Sequence, residues 1–140
     1  MIGGSNFCSP AYIIQKPKLF AAYKMYKNTF RAISSDGVRF KVYTRKNNPY
    51  GSADMWIKSI DTYLGRLGYK RISTKKITSK NASGIFSEYV FIHYGKKYIY
   101  GQSLFTDKNH IYIIEVGGFE QEYKKRKKDI LSAIKTFAID

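Results

Sequence analysis

The sequence predicts an α+β fold in which two amphipathic helices cover a mainly antiparallel sheet. Several strand-like segments follow one another across short turns, and strands joined in this way are antiparallel. Two other segments have apolar residues at helical spacing. The length of 140 residues suits one domain with a sizeable core. The predicted order is strand, strand, helix, four strands and helix, which gives an α/β sandwich.

The clearest strand pair is the hairpin of residues 30–45. Asp36-Gly37 in its middle predicts a two-residue type I′ turn, which requires positive φ angles. Beyond the turn, apolar and polar residues alternate, so one face of the strand is expected in the core and the other in water. The core face consists of Val38, Phe40 and Val42, and the wet face of Arg39, Lys41, Tyr43 and Arg45.

Two amphipathic helices are predicted, over residues 52–68 and 120–138. Ser52 is a suitable N-cap for the first helix, and Gly68 is a suitable stop. The apolar stripe of the first helix consists of Trp56, Ile57, Ile60, Tyr63, Leu64 and Leu67. The stripe of the second consists of Tyr123, Ile130, Leu131, Ile134 and Phe137. Lys127 falls on that second stripe, and its ammonium group is expected to reach water.

Four strands are predicted between the helices. Residues 69–78 are expected at an edge of the sheet, where Lys75 and Lys76 would prevent unwanted pairing. Residues 85–94 and 97–105 are expected to form a hairpin with a type II′ turn at Gly95-Lys96. A buried strand follows at residues 111–116, and Gly117-Gly118 is expected to end it.

Residues 1–29 are predicted to be a loosely ordered lead to a single domain of residues 30–140. Within the lead, residues 19–26 fit either a short helix or a short strand. The lead also contains the only cysteine, Cys8, so an intramolecular disulfide is excluded. Cys8 followed by Ser9 suggests a lipid anchor, whereas the alternative is a free or buried thiol, since the preceding residues do not form a small-residue cleavage site.

The chain is strongly basic, with 25 Lys and Arg against 10 Asp and Glu and a net charge of +15. A field of this sign attracts nucleic acid, an acidic membrane surface or an acidic protein. Two groups of residues are predicted to bind such a partner. They are Arg39, Lys41, Tyr43 and Arg45 on the strand, and Lys124, Lys125, Arg126 and Lys128 on the second helix. The alternative for both groups is an ordinary solvated face, and in the helix Glu120–Lys124 and Glu122–Arg126 stand at the favourable i,i+4 spacing.

No catalytic motif stands out. The sequence has no P-loop, no GxGxxG and no serine nucleophile elbow, and one Cys and two His offer little to a metal ion. Glu88 and Glu115 form a conceivable carboxylate pair, although cross-strand ion pairs with Lys or Arg are the alternative. The sequence therefore predicts no enzyme, no cofactor and no metal site, and it identifies no small-molecule substrate.

The order of these elements resembles the PsbP-like family, which shares its fold with the Mog Ran-binding proteins and with small bacterial lipoproteins. The resemblance covers about residues 30–139. It rests on the opening hairpin FRAISSDGVRFKVYTR, the helix with Trp56, the meander GIFSEYVFIHYGKKYIYGQSLFTDKNHIYIIEVGG and the closing helix EYKKRKKDILSAIKTF. It implies a non-catalytic binding or assembly factor of a kind that is often exported and sometimes lipid-anchored. It transfers no metal-binding or partner-binding motif to individual residues.

These observations together predict a non-catalytic binding or assembly protein of the bacterial envelope. It is expected to dock an anionic protein or membrane surface through a basic, aromatic-rich surface, and the alternative is a nucleic-acid-binding domain. The expected location is the periplasm or the outer membrane if a leader is removed, and otherwise the cytoplasm.

Overall fold

The predicted α+β architecture is confirmed by the computed structural model, which describes residues 6–8 and 11–140. In these residues the chain forms ten strands and two helices. They are β1 (Asn6–Cys8), β2 (Tyr12–Gln15), β3 (Phe20–Ala22), β4 (Phe30–Ser34), β5 (Arg39–Lys46), α1 (Ala53–Arg66), β6 (Lys70–Thr78), β7 (Ser83–His93), β8 (Lys96–Thr106), β9 (His110–Phe119), α2 (Glu120–Lys135) and β10 (Ala138–Ile139). The described strands make one seven-stranded antiparallel sheet, in the order β3-β4-β5-β9-β8-β7-β6, and one small sheet in the order β1-β2-β10.

The two helices lie on opposite faces of the large sheet. Phe40 and Val42 of β5 pack with Ile130 and Ile134 of α2 in the main core. Tyr43, which follows Val42 in β5, packs on the other side, with α1 and the inner residues of β8 and β9. Because successive side chains of a strand point to opposite faces, the alternation predicted for β5 decides which residues α2 covers and which remain on the α1 side.

Residues 12–22 differ from the loosely ordered lead that the sequence predicted. Tyr12, Ile14 and Phe20 are buried in the main core, and β2 pairs with β10 near the end of the chain. The open choice for residues 19–26 is resolved as a strand, β3, which is an edge of the large sheet. The sequence of β2 shows no apolar alternation, but its side chains alternate between buried and exposed, and its partner strand β10 is about 125 residues away in sequence. Cys8 belongs to β1, but its side chain lies outside the described residues, and its lipidation stays a prediction.

The first helix begins and ends as predicted. The Ser52 hydroxyl accepts a hydrogen bond from the Met55 N–H at 3.2 Å, which satisfies one of the free donors of the first turn. At the other end Gly68 adopts a φ of +93°, and the Tyr69 N–H donates to the Leu64 carbonyl at 3.0 Å. The predicted edge strand is also confirmed, since β6 pairs only with β7 and exposes both Lys75 and Lys76.

Both predicted turn types are wrong. In the first hairpin only Gly37 has a positive φ, and the Ser34 N–H donates to the Val38 carbonyl, so residues 35–37 form a three-residue loop. The Ser34 hydroxyl favours this longer loop because it accepts from the Val38 N–H and donates to Asp36. In the β7–β8 hairpin the two turn residues are Tyr94 and Gly95, both with positive φ, which is a type I′ turn one residue earlier than expected.

The glycine pair Gly117-Gly118 does not end β9, which continues to Phe119. Side chains pack closely against both glycines, one on each face of the sheet. A Cβ on Gly117 would lie 2.5 Å from the Tyr98 hydroxyl, and one on Gly118 would lie 3.0 Å from Cγ2 of Val38. The two residues therefore keep strand geometry and make room for neighbouring side chains.

Candidate functional site

The four predicted β5 residues all lie on the α1 side of the sheet, but α1 covers only some of them. The Tyr43 ring packs against α1 and is flanked by two cations, with Lys41 Nζ and the Arg45 guanidinium carbon each 4.8 Å from its centroid. Arg39 and Lys41 lie further along the strand, where the sheet is open. The open area next to α1 is therefore where the strand cations become available to a ligand.

This open area is a concave site, which we call the basic groove, with a volume of about 260 Å³. Its cations come from two neighbouring strands, because Arg31 of β4 is directly opposite Lys41 of β5. Tyrosines from β8 form the other wall, and Tyr23 lies at the β3 side. The groove is defined by Tyr23, Arg31, Arg39, Lys41, Tyr98, Tyr100, Glu115 and Gly117. Arg31 and the β8 tyrosines were not among the predicted binding residues.

The three cations of the groove are not neutralised by the protein. Arg31, Arg39 and Lys41 have no ion pair within 4.0 Å to any carboxylate of the described residues. The Arg31 guanidinium is instead positioned by a hydrogen bond from Nη1 to the Lys24 carbonyl at 2.7 Å. The groove therefore has three cations and one carboxylate, and an anionic group placed between Arg31, Arg39 and Lys41 would gain charge-assisted hydrogen bonds.

The carboxylate of the groove is occupied by tyrosine hydroxyls. Both Tyr43 and Tyr100 donate to the same Glu115 oxygen, Oε2, at 2.8 Å. Burial, together with the negative charge of Glu115, raises the pKa of each of these two phenols, so both keep their protons and act as donors. Two donors on one carboxylate oxygen fix the floor of the groove and partly screen the charge of Glu115.

Gly117 shapes the groove by its lack of a side chain. It lies between Arg39 of β5 and Tyr100 of β8 in the same row of the sheet, and the Tyr98 hydroxyl occupies the space above it. Burial raises the pKa of the Tyr98 hydroxyl, and the positive charge of Arg39 opposes that rise. The phenol and the guanidinium therefore face each other across the glycine.

The predicted helix cations lie on the opposite face of the molecule. Lys124, Lys125 and Lys128 are exposed on α2, away from the groove, and Lys124 forms the expected contact with Glu120 at 3.6 Å. Arg126 is only 8% exposed, and its Nη2 is 3.1 Å from Asp36 in the β4–β5 loop instead of pairing with Glu122. Its side chain fastens the hairpin to α2, so the structure does not present it to a partner.

The ammonium group of Lys127 was expected to reach water, but it contacts a carboxylate of the sheet. Its Nζ donates to Oε1 of Glu88 at 2.9 Å, and Glu88 also accepts from the Tyr123 hydroxyl at 2.5 Å. Burial disfavours the charge of Glu88, but these donors outweigh it, and the pKa of Glu88 is lowered. This cluster stabilises the contact between α2 and the sheet.

The acid–base pair considered for Glu88 and Glu115 is not formed. Glu88 faces α2 and Glu115 faces the groove, so the sheet itself separates them. His93 is exposed next to the Tyr94 ring, and His110 lies beside Asp107. In residues 6–8 and 11–140, no group of three or more His, Cys, Asp or Glu is placed to hold a metal ion. Nor does any helix in that part of the chain have the length and apolarity to cross a membrane.

The layers and the open groove define a class of sandwich protein: one antiparallel sheet, a helix on each face, and a concave site beside one helix. Among such proteins, this chain has the PsbP-like α/β fold that its sequence resembles. CyanoP, the PsbP of Synechocystis sp. PCC 6803, superposes with a TM-score of 0.63 at 10% identity, over 99% of this chain and 95% of CyanoP.

Two further solved structures share this fold. LpqN of Mycobacterium tuberculosis, described as involved in cell envelope biogenesis, has a TM-score of 0.73 at 9% identity and covers 94% of this chain and 86% of its own. A Pseudomonas aeruginosa protein of unknown function has a TM-score of 0.65 at 10% identity and covers 84% of this chain and 94% of its own. The chain matches no family model and no curated protein sequence.

Proposed function

We propose that this chain is a non-catalytic binding or assembly protein of the bacterial envelope that holds an anionic partner in the basic groove. The observation that carries the proposal is the convergence of Arg31, Arg39 and Lys41, without a carboxylate partner, beside half-buried tyrosines. Cations that are positioned by the backbone and by rings, and left unpaired, are a common way to recognise a carboxylate or phosphate.

The envelope part of the proposal is supported by the fold. LpqN has this fold and its description places it in cell envelope biogenesis, and the sequence resemblance implies exported binding factors. A periplasmic or outer-membrane-associated location agrees with both. Glu88 and Glu115, the carboxylates considered as an acid–base pair, are on opposite faces of the sheet.

The α2 cations contribute less in this proposal. Lys124, Lys125 and Lys128 project from the helix into solvent, where a charge pair is worth little. A partner seated in the groove could not contact them, because the sheet and its core lie between the two surfaces. We therefore assign partner binding to Arg39 and Lys41 of the predicted set, with Arg31 added.

A matched pair of double variants tests this assignment. Arg39→Gln with Lys41→Gln removes two charges from the groove, and Lys124→Gln with Lys125→Gln removes two from α2. The probe is a fluorescein-labelled poly-glutamate peptide, followed by anisotropy at low salt. We expect the groove variant to lose about tenfold in affinity and the α2 variant to stay near the wild type. Equal losses from the two variants would mean that net charge, and not the groove, binds the probe.

Nucleic acid binding is the second candidate, and one observation favours it. The Tyr98 ring lines the groove with Arg39 and lies edge to face with the Phe119 ring at 5.7 Å, so aromatic rings lie next to cations there. If this candidate is correct, a single-stranded oligonucleotide binds more tightly than poly-glutamate in the same anisotropy assay. The logarithm of its binding constant then falls linearly with the logarithm of the salt concentration. Weaker binding of the oligonucleotide than of the acidic peptide would dismiss this candidate.

A further inference from the structure

A second cavity lies beside the basic groove. It lies between the C-terminal half of α1 and the sheet, and its volume is about 330 Å³, at the lower end of the range for small-molecule sites. Tyr100 and Glu115 line both cavities, so the two spaces meet at these side chains. We call the second cavity the α1 pocket.

The walls of the α1 pocket are mainly apolar and aromatic. Ile60, Leu64 and Leu67 come from α1, and Ile113 comes from β9. At its mouth, Tyr63 is 61% exposed and Leu67 is 50% exposed, which is unusual for the apolar stripe of an amphipathic helix that packs on a sheet. The helix thus leaves part of its stripe uncovered, at the place where the pocket opens.

One polar group in the pocket lacks a partner. Gln102 is only 4% exposed, and its Nε2 donates to the Tyr100 hydroxyl at 3.0 Å. The Tyr100 hydroxyl donates its own proton to Glu115, so toward Gln102 it acts as an acceptor. This fixes the orientation of the Gln102 amide, with its nitrogen toward Tyr100. The other end of that amide, Oε1, is buried without a hydrogen-bond partner among the described residues. Buried acceptors are almost always satisfied, so an unpaired acceptor lining an apolar pocket points to a donor supplied by a ligand.

The row of the sheet that contains Gln102 relates this acceptor to the basic groove. Lys41, Glu115 and Gln102 are consecutive partners across β5, β9 and β8. Adjacent strands are about 4.8 Å apart, so the backbone positions of Lys41 and Gln102 are about 10 Å apart along the row. One elongated ligand can therefore reach both places.

We propose that the groove and the α1 pocket together bind a single-chain anionic amphiphile. Its carboxylate or phosphate lies between Arg31, Arg39 and Lys41, its hydrocarbon chain enters under α1, and a hydroxyl or amide N–H on the chain donates to Gln102 Oε1. This inference rests on the proposed function, because it uses the same cations, and it names the chemical class of the partner. The apolar mouth at Tyr63 and Leu67 favours a hydrocarbon chain over an acidic peptide, which would leave that surface in water.

Displacement of a fluorescent fatty acid, dansyl-aminoundecanoic acid, measures binding to the full chain. The competitors are decanoate, decanol and decanoate with a terminal hydroxyl group. We expect decanoate to displace the probe about tenfold better than decanol, because decanol lacks the anion, and the hydroxylated acid to equal or surpass decanoate despite its lower apolarity. Decanol competing as well as decanoate would overturn the placement of the anion.

Three variants test where the hydrocarbon chain and its hydroxyl group bind. Leu67→Gln makes the mouth polar and should weaken decanoate about fivefold or more, whereas Met55→Gln, a matched change of an exposed α1 residue outside the pocket, should not. Gln102→Met should remove the advantage of the hydroxylated acid over decanoate. Leu67 and Met55 are exposed, so both variants are expected to fold, and circular dichroism checks this.

The outcomes separate this inference from the proposed function. If poly-glutamate binds in the groove and decanoate does not displace the probe, the amphiphile is refuted and the anionic site stands. If decanoate binds but Leu67→Gln and Met55→Gln behave alike, the chain does not enter under α1 and the inference is overturned. If decanoate binding is weakened both by Arg39→Gln with Lys41→Gln and by Leu67→Gln, the inference is supported.

Discussion

The buried hydrogen bond between Tyr123 and Glu88 gives the sharpest stability prediction. The Tyr123 hydroxyl is in the core and donates to Glu88 Oε2 at 2.5 Å, and two further side chains of the described residues, Lys127 and Ser73, also donate to Glu88. Tyr123→Phe keeps the ring and removes one donor to a charged group. Such a bond contributes about 1.5–3 kcal/mol, so we expect the free energy of unfolding at neutral pH to fall by that amount.

The loss should depend on pH in a defined direction. The pKa of folded Glu88 is lowered from its ordinary value of 4.5, so the stability it contributes is present above that value and is lost as the pH falls through the folded pKa. Removing the Tyr123 donor lets the folded pKa rise. The difference between wild type and Tyr123→Phe should therefore be largest at neutral pH and should shrink once Glu88 is protonated in both.

Urea unfolding of both proteins across this pH range is the assay, with Tyr98→Phe as the control. The Tyr98 ring is half-buried like many in the sheet, but its hydroxyl donates no hydrogen bond to another described residue. The control should lose much less than Tyr123→Phe at neutral pH. A Tyr123→Phe loss that stays constant with pH, or a control that loses as much, would refute the role assigned to the Glu88 carboxylate.

Three further substitutions have expected outcomes. Gly101→Ala should destabilise by about 1–3 kcal/mol in urea unfolding, because its Cβ would lie 2.7 Å from both the Tyr123 hydroxyl and Val116 in the core. Tyr94→Asn should stabilise by roughly 1 kcal/mol, because Tyr94 is 93% exposed at a φ of +48° that asparagine tolerates better; no rise in melting temperature would contradict this. Gly117→Ala should cost little stability, since only the end of the Tyr98 side chain must move, but it should weaken poly-glutamate binding in the anisotropy assay by disturbing the groove floor; unchanged binding would contradict the role of the glycine.

The length of the first hairpin loop explains why Arg31 escaped the sequence analysis. With a two-residue turn at Asp36-Gly37, Arg31 would pair with Val42 and face the core. The three-residue loop shifts the register by one, so Arg31 pairs with Lys41 and joins the groove face. The alternation of β5 was readable from the sequence, but the register of β4 depended on the side-chain bonds of Ser34, which the pattern of apolar residues does not reveal.

The basic run of α2 shows a different limit. Helical spacing correctly predicted that α2 packs through residues such as Ile130 and Ile134. It could not predict the partners of Arg126 and Lys127, because they are distant in sequence. Arg126 pairs with Asp36 of the β4–β5 loop, 90 residues away, and Lys127 pairs with Glu88 of β7, 39 residues away. Lys124, Lys125, Arg126 and Lys128 were therefore predicted as one binding surface, whereas Arg126 is fixed to Asp36. Lys127, which was expected to reach water, is bonded to Glu88. The same limit hid the groove, whose walls come from strands far apart in sequence.

The small sheet has a practical consequence for handling the protein. β2 pairs with β10 near the C-terminus, and Phe137 lies in the core between α2 and the large sheet. A tether joined to the C-terminus, such as a sensor-chip linkage or an affinity tag, would therefore leave from the side of the large sheet that α2 covers. Capture by the C-terminus should thus hold the ligand-facing side toward the solution, so immobilised protein is suitable for the titrations.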